Sequence, residues 1–411
     1  MRSIKLLIAS LFLCSCMQTS CSDPSKEQLK PSNGGNEGGT TPAAEKVVWH
    51  ERAYDTYLTI DKLYGIKSGA TAGFFNENYP KGNGDLSASF LWPYDGLMSG
   101  VALMNKLGYD VDYAAKVERY EAYWRSDGPG GYGSQTNGTT GSGSRFYDDN
   151  SIIGLNLVEA YKQLQDEKYL ARCAKIVHFL LSGEDDTLGG ALWWCEDQKN
   201  MPGNGDSNKP ACANGYAQWF LLSYYDICPE AEKADVLAFA KRLYAWERNN
   251  LLDSSDQTYW NDRNADGSIN KTKWTYNSGA MIAAGTRLYH ITHEKHYLDE
   301  AIATAKGAYS YFVKQRDGIG MAYVLNDPWF TIKLIRAYME LEPDFKTCGE
   351  YIKVFTRNLE YAWQHGRSQN GLFYEDWSGK KVNPDRDKGL LMQDAALESL
   401  GAIALYNNEH K

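Results

Sequence analysis

From about residue 47 onward the chain alternates two kinds of helical segment, and this alternation restricts the fold more than any single motif does. Segments of the first kind are small, apolar on most sides, and tend to finish in Leu-Tyr, Ala-Tyr or a similar pair. They begin near Trp92 (WPYDGLMSGVALMNKLG), Asp148 (DDNSIIGLNLVEAY), Asn214 (NGYAQWFLLSYY), Asn277 (NSGAMIAAGTRLY), Asp327 (DPWFTIKLIRAY) and Leu391 (LMQDAALESLGAIALY), at steps of about 56, 66, 63, 50 and 64 residues. Between them lie charged, amphipathic segments such as KVVWHERAYDTYLTIDKLYG, DYAAKVERYEAYWRS and TCGEYIKVFTRNLEYAWQHG. A helix apolar all round is buried, whereas one with a polar face is peripheral. Six of each in strict order predict six helical hairpins closed into a ring, an inner barrel inside an outer one. The expected fold is an all-α (α/α)6 toroid over residues 47–411.

Antiparallel alternation places the starts of all six inner helices at one end of the barrel, together with the long segments that precede them. Those segments hold much of the Gly, Asn, Asp and Trp, as in DGPGGYGSQTNGTTGSGSRFYDD and GGALWWCEDQKNMPGNGDSNKPACANGY. Loops on a rigid scaffold carry function, and a concave barrel end is where a ligand sits. Asp148 and Asp149, adjacent at the second of these helix starts, therefore point to the expected cleft.

The pair reads two ways. Asp, Asn and Ser at a helix N-terminus accept from unpaired backbone N–H groups and complement the dipole, which makes Asp148-Asp149-Asn150-Ser151 a helix cap. Two carboxyl groups beside a scissile glycosidic bond are also what glycoside hydrolysis needs, one to protonate the leaving oxygen and one to attack or to activate water. Neighbouring Cα atoms lie about 3.8 Å apart, so adjacent carboxyls most naturally diverge by roughly 5–6 Å, close to the retaining separation of about 5–5.5 Å. Crowding two carboxylates also holds one protonated, which supplies the acid.

Composition narrows the substrate without naming it. A net charge of −9 opposes a nucleic-acid partner, which would require a basic stripe. The 29 Tyr and 12 Trp supply flat amphipathic rings of the kind that stack on the C–H face of a sugar. Trp92, Tyr94, Tyr147, Trp193, Trp194, Trp274 and Tyr276 fall at inner helix starts or just before them and are candidate sugar contacts, with core packing as the alternative for each. Asn214 and Asn277 are candidates for hydrogen bonds to sugar hydroxyls, or for helix caps.

The opening MRSIKLLIASLFLCSCMQTSC has a short basic start and an apolar run too short for a membrane span, and reads as a secretory signal over residues 1–21. Cys16 and Cys21 both resemble the lipidated cysteine of bacterial lipoproteins. Residues 22–46, rich in Ser, Pro, Gly and Asn, read as a disordered tether. Five further cysteines (Cys173, Cys195, Cys212, Cys228, Cys348) show no zinc spacing; a Cys195–Cys212 pairing and buried thiols are both open.

The stretch Tyr147-Asp148-Asp149-Asn150, the pair Trp193-Trp194 followed by Lys209 and Asn214, and Trp274-Thr275-Tyr276-Asn277-Ser278-Gly279 together resemble glycoside hydrolase family 76 over nearly all of residues 47–405. The resemblance implies an (α/α)6 endo-acting α-1,6-mannanase with mannan or manno-oligosaccharide as substrate, a retaining mechanism, Asp148 as nucleophile, Asp149 as general acid/base, and no cofactor. The fifth inner helix departs from the family: Asp327-Pro328-Trp329-Phe330 stands where many members carry Lys-Gly-Phe. The leader resembles lipoprotein signals of gut Bacteroidetes, which implies an outer-membrane location through the lipid anchor.

Asp262 to Lys273 matches the first part of a calcium loop, with oxygen ligands at positions one, three and five and Gly at six, but Lys273 occupies the place of the bidentate Glu; a Gly-turned loop without metal is expected. A sugar epimerase on the same toroid would need paired bases, usually His, near inner helix starts, and none is there. A lipid-anchored glycan-binding protein without catalysis would need the same aromatics and would differ only by binding without turnover.

Overall fold

The computed structural model describes residues 47–381 and 389–410. The signal-like segment, the tether, Cys16 and Cys21 lie outside the described residues. The helices, in chain order, are α1 (Trp49–Leu63), α2 (Leu91–Lys106), α3 (Tyr113–Glu118), α4 (Tyr147–Leu164), α5 (Glu167–Leu181), α6 (Ala211–Tyr225), α7 (Glu230–Leu251), α8 (Thr275–Thr292), α9 (Lys295–Phe312), α10 (Pro328–Leu341), α11 (Cys348–His365) and α12 (Leu390–Glu409). Each even-numbered helix packs against the next, and α12 returns to pack against α2 and α1, so the six inner helices close a ring with the odd-numbered ones outside.

The inner helices are continuous core: in α6 every residue from Ala211 to Tyr224 is buried. Small residues let them approach. A Cβ added at Gly154 would lie 2.5 Å from the Phe220 ring, at Gly215 2.7 Å from Ala280, at Gly279 2.8 Å from the Leu334 backbone, and at Gly100 2.7 Å from Leu397. Four of the six seams between inner helices are therefore closed at glycine, where overpacking would cost about 1–3 kcal/mol per extra group. The outer helices, such as α5, bury one stripe only (Tyr169, Cys173, Ile176, Phe179 and Leu180).

The links from inner to outer helix are short. Gln165 and His293 end α4 and α8 in the left-handed conformation (φ 54° and 60°), and their N–H groups close back on the Tyr161 and Tyr289 carbonyls. In these two helices the tyrosine that ends the inner segment is thus the residue on which the turn closes.

The second outer segment departs from the regular helix expected. α3 covers Tyr113–Glu118 and tightens into a 3-10 turn, Arg119–Tyr123, before the chain extends. In a 3-10 turn residues three apart eclipse. Tyr120 and Tyr123 therefore both face inward, where their hydroxyls donate to Asp95 Oδ1 (2.5 Å) and to the Ser89 carbonyl (2.9 Å).

Candidate active site

The long segments at the mouth are held by side-chain amides one turn into the inner helices. Asn150 Oδ1 accepts from the Tyr132 N–H (2.8 Å) while its Nδ2 donates to the Tyr132 and Phe146 carbonyls (3.0 and 2.8 Å). Asn214 treats Leu192 in the same way (2.8 and 3.1 Å) and adds Pro210 (2.9 Å). Gln393 does so with Phe373 (2.8 and 2.9 Å). Each clamp mimics a strand pairing and leaves no polar backbone group of its partner open. A three-stranded antiparallel sheet (Asn208–Pro210, Asp262–Asn264, Ile269–Asn270) ties the segments before α6 and α8 together.

Asp148 and Asp149 lie half-buried in the first turn of α4, about 100° apart around the helix axis. The cap position belongs to Phe146, and no side chain caps the helix. Asp148 Oδ1 accepts from the Asp149 N–H (3.1 Å), so the cap reading holds for one bond. Its Oδ2 accepts from two side chains, Trp194 Nε1 (3.1 Å) and the Cys212 thiol (3.2 Å). Trp194 is aimed by its backbone, which accepts from Tyr147 N–H (3.0 Å) and donates to the Asn208 carbonyl (2.9 Å).

The two carboxyls are electrostatically unequal. Burial pushes both upward. On Asp148 the bonds from Cys212, the Asp149 N–H and Trp194 oppose that rise by favouring the charged form. Asp149 has no such donor among the described residues, and the charges of Asp148 and Asp95 hold its proton on well above the usual carboxylate range. The surroundings of Asp148 favour the charged form more than those of Asp149 do, a division that can supply nucleophile and acid to one glycosidic bond.

The aromatic and amide candidates divide. Trp92, Trp274 and Tyr276 meet around Phe330: Trp92 stacks on it (6.4 Å between centroids), Trp274 meets it edge-on (5.4 Å) and Tyr276 packs at 4.1 Å. Trp92 is 37% exposed, and Trp194, Trp274 and Phe330 are half-buried. Five other candidates are buried in the wall of the site. Tyr94 is fully buried with its hydroxyl on the Lys116 carbonyl, and Tyr147 is buried and stacked on Phe179 at 4.7 Å. Trp193 is fully buried and donates to Asp185, which also receives the buried Lys209 ammonium. Asn214 spends its amide on the clamp described above. Asn277 is also fully buried, with its Nδ2 at 3.5 Å from Asn261 Oδ1, and belongs to the wall too.

Two residues at the mouth escape a reading of sequence. Cys212, weighed there only as a disulfide or a buried thiol, reaches Asp148; its place at an inner helix start, one turn before Tyr216, is the signal that could have found it. Phe330 sits in the stretch that departs from the family pattern. All five described cysteines are free and buried, Cys195 and Cys212 included. The segment with calcium spacing forms a hairpin: Asp262 Oδ2 accepts from Asn261 and Asn270, Asp266 caps the turn at Ser268, and Gly267 takes φ +87°. Lys273 bonds Asp253 and Asp256 (2.7 and 2.6 Å).

Comparison with solved structures places this toroid among known ones. The α-mannanase BT2949 of Bacteroides thetaiotaomicron superposes with a TM-score of 0.75 at 23% identity, over 89% of this chain and 98% of that one. The GH76A α-1,6-mannanase of Salegentibacter sp. HEL1_6 gives 0.69 at 23%, over 87% and 99%. An inactive variant of the latter, with two consecutive aspartates changed to asparagine and in complex with α-1,6-mannotriose, gives 0.70 at 22%, again over 87% and 99%. No curated protein sequence matches the chain. The model of glycosyl hydrolase family 76 matches residues 61–409, a span that runs from the end of α1 through α12 and contains the aspartate pair and the aromatic mouth, and the chain belongs to that family of glycoside hydrolases.

Proposed function

We propose that the protein is a retaining, endo-acting α-1,6-mannanase in which Asp148 is the nucleophile and Asp149 the general acid/base. The observation that carries this is the inequality of the pair: three donors stabilise charge on Asp148, and none among the described residues does so on Asp149. The Salegentibacter relative supports it, because its inactive variant is altered at two consecutive aspartates and holds α-1,6-mannotriose.

Attack by an Asp148 oxygen on the anomeric carbon forms a glycosyl ester as the glycosidic C–O bond breaks. The Asp149 proton goes to the leaving oxygen. Asp149, now a carboxylate, takes a proton from water, whose oxygen displaces Asp148 and restores the starting state. Two inversions leave the α configuration at the new reducing end. Turnover needs Asp148 ionised and Asp149 protonated, so activity rises with pH as Asp148 loses its proton and falls again as Asp149 does. Because burial raises both groups from the ordinary aspartate value, both limbs are displaced toward higher pH. The Trp92–Phe330–Trp274 surface supplies a platform for further mannose units, as an endo-acting site requires.

An epimerase would place histidines at the mouth, whereas all seven are exposed and none stands at an inner helix start. The test is incubation of the signal-free protein with linear α-1,6-mannan, followed by mass analysis and proton NMR of an early digest. A ladder of oligosaccharides with α-mannose at the new reducing ends is expected. A β product overturns retention, monosaccharide alone overturns the endo mode, and binding without products makes the chain a glycan-binding protein.

A further inference from the structure

We propose that Cys212 is a positioning residue for the nucleophile, its thiol and the Trp194 indole together occupying Asp148 Oδ2 so that Oδ1 is the oxygen that attacks. The inference rests on the mannanase reading above.

A carboxylate oxygen offers two lone pairs in its plane. Among the described residues Oδ2 receives two side-chain donors, Trp194 Nε1 at 3.1 Å and Cys212 Sγ at 3.2 Å, whereas Oδ1 receives no side chain and accepts from the backbone, the Asp149 N–H at 3.1 Å. Oδ1 is therefore the oxygen left free of side-chain donors. The three donors come from three separate parts of the chain: α4 itself, the segment before α6, and α6. Torsion of the Asp148 carboxyl is opposed from each side.

A thiol suits this place because it donates weakly and is slow to ionise where it is buried. Cys212 is 8% exposed, and burial together with the adjacent Asp148 charge keeps its proton on. Tyr276 acts on it electrostatically from α8. The groups that face Asp148 are Asp149 from its own helix, Cys212 and Tyr216 from α6, Tyr276 from α8 and Cys195 from the segment before α6; Asp95 from α2 acts on Asp149.

The experiment compares Cys212→Ala and Cys212→Ser with wild type on α-1,6-mannotetraose. Cys212→Ala should lower kcat by about tenfold with KM within about twofold, as loss of one bond to a charged group implies. Its acid limb of kcat/KM should move to higher pH, since the ionised form loses a donor, and Cys212→Ser, which keeps a donor, should restore both toward wild type. An unchanged kcat and acid limb in Cys212→Ala overturns the proposal, as does a loss that Ser does not restore. Infrared spectroscopy supplies a readout without substrate. The S–H stretching band assigned to Cys212 by its loss in Cys212→Ala should rise in frequency in Asp148→Asn, and a band that does not move overturns the contact. A shifted band in a wild type that leaves mannan intact keeps the contact and sinks the mannanase reading.

Discussion

At the mouth of the barrel Asp148 and Asp149 stand in the first turn of α4 with no ion-pair partner among the described residues, while deeper in the same barrel Glu398 is held between Lys333 (2.6 Å) and Arg336 (3.1 Å). Glu398 and Lys333 line a cavity of about 130 Å3 near the far end, with Lys106, Lys162, Arg287 and Glu340 also on its wall. Inner helix C-termini point that way, and cations there offset the negative ends of six dipoles. The N-terminal mouth needs no cation for its negative charge, because helix starts favour anions. A carboxylate closed between a lysine and an arginine has both oxygens engaged by cations and serves the scaffold. One held by an indole, a thiol and a backbone amide has no cation on it, and its Oδ1 is left without a side-chain donor. Asp95 lies between these cases: burial pushes it up to about 7, against the hydrogen bonds from Tyr120 and Asn156.

Four substitutions would break or sharpen this contrast. The largest effect is expected at the mouth, where Asp148→Asn and Asp149→Asn should each lower turnover on mannan about 10³-fold or more with the fold retained by circular dichroism. Activity within tenfold of wild type in either variant would remove that residue from the catalytic pair. A substrate with an activated aryl leaving group separates the roles: it should rescue the first step in Asp149→Asn, where no acid is then needed, and not in Asp148→Asn. Next comes the closed carboxylate. Glu398→Gln leaves Lys333, 4% exposed, without its counter-charge and should cost roughly 3–5 kcal/mol in urea unfolding, with kcat/KM of the folded protein within about twofold. A large loss of turnover with little loss of stability would erase the distinction between the two ends. The smallest effect is expected from Phe330→Ala, which removes the ring on which Trp92, Trp274 and Tyr276 converge. KM for a long oligosaccharide should rise about tenfold, as loss of an aromatic contact worth about 1.4 kcal/mol implies, with kcat nearly unchanged. Equal losses on short and long substrates would place Phe330 in the wall instead.

Much of the scaffold is legible in the residues. An inner segment such as NGYAQWFLLSYY is apolar on every side, and only a barrel interior buries such a helix completely. The predicted inner starts fall within a few residues of the observed ones: Trp92 against Leu91, Asp148 against Tyr147, Asn214 against Ala211. The short α3 is not legible, because DYAAKVERYEAYWRS has helical periodicity throughout and its change to a 3-10 turn answers Asp95 and Ser89, which are distant in sequence. The position of the aspartate pair at the mouth is readable from its place at an inner helix start.

The individual sugar contacts divide for a different reason. Successive residues at a helix start point about 100° apart, so Tyr147 enters the wall while Asp148 faces the cleft, and composition does not distinguish them. Trp193 and Trp194 are chemically identical neighbours, yet one is fully buried and donates to Asp185 and the other is half-buried and donates to Asp148. Asn214 has the chemistry of a sugar ligand and is consumed by the Leu192 backbone.

The sequence by itself thus determined the six hairpins, the end at which they open and the carboxylate pair placed there, because periodicity and chain alternation are local properties. Tertiary structure alone decided which ring meets solvent, which amide is already spent, and that Cys212 reaches Asp148 at 3.2 Å. Those outcomes depend on how one helix is rotated against segments far along the chain, and no local pattern encodes that rotation.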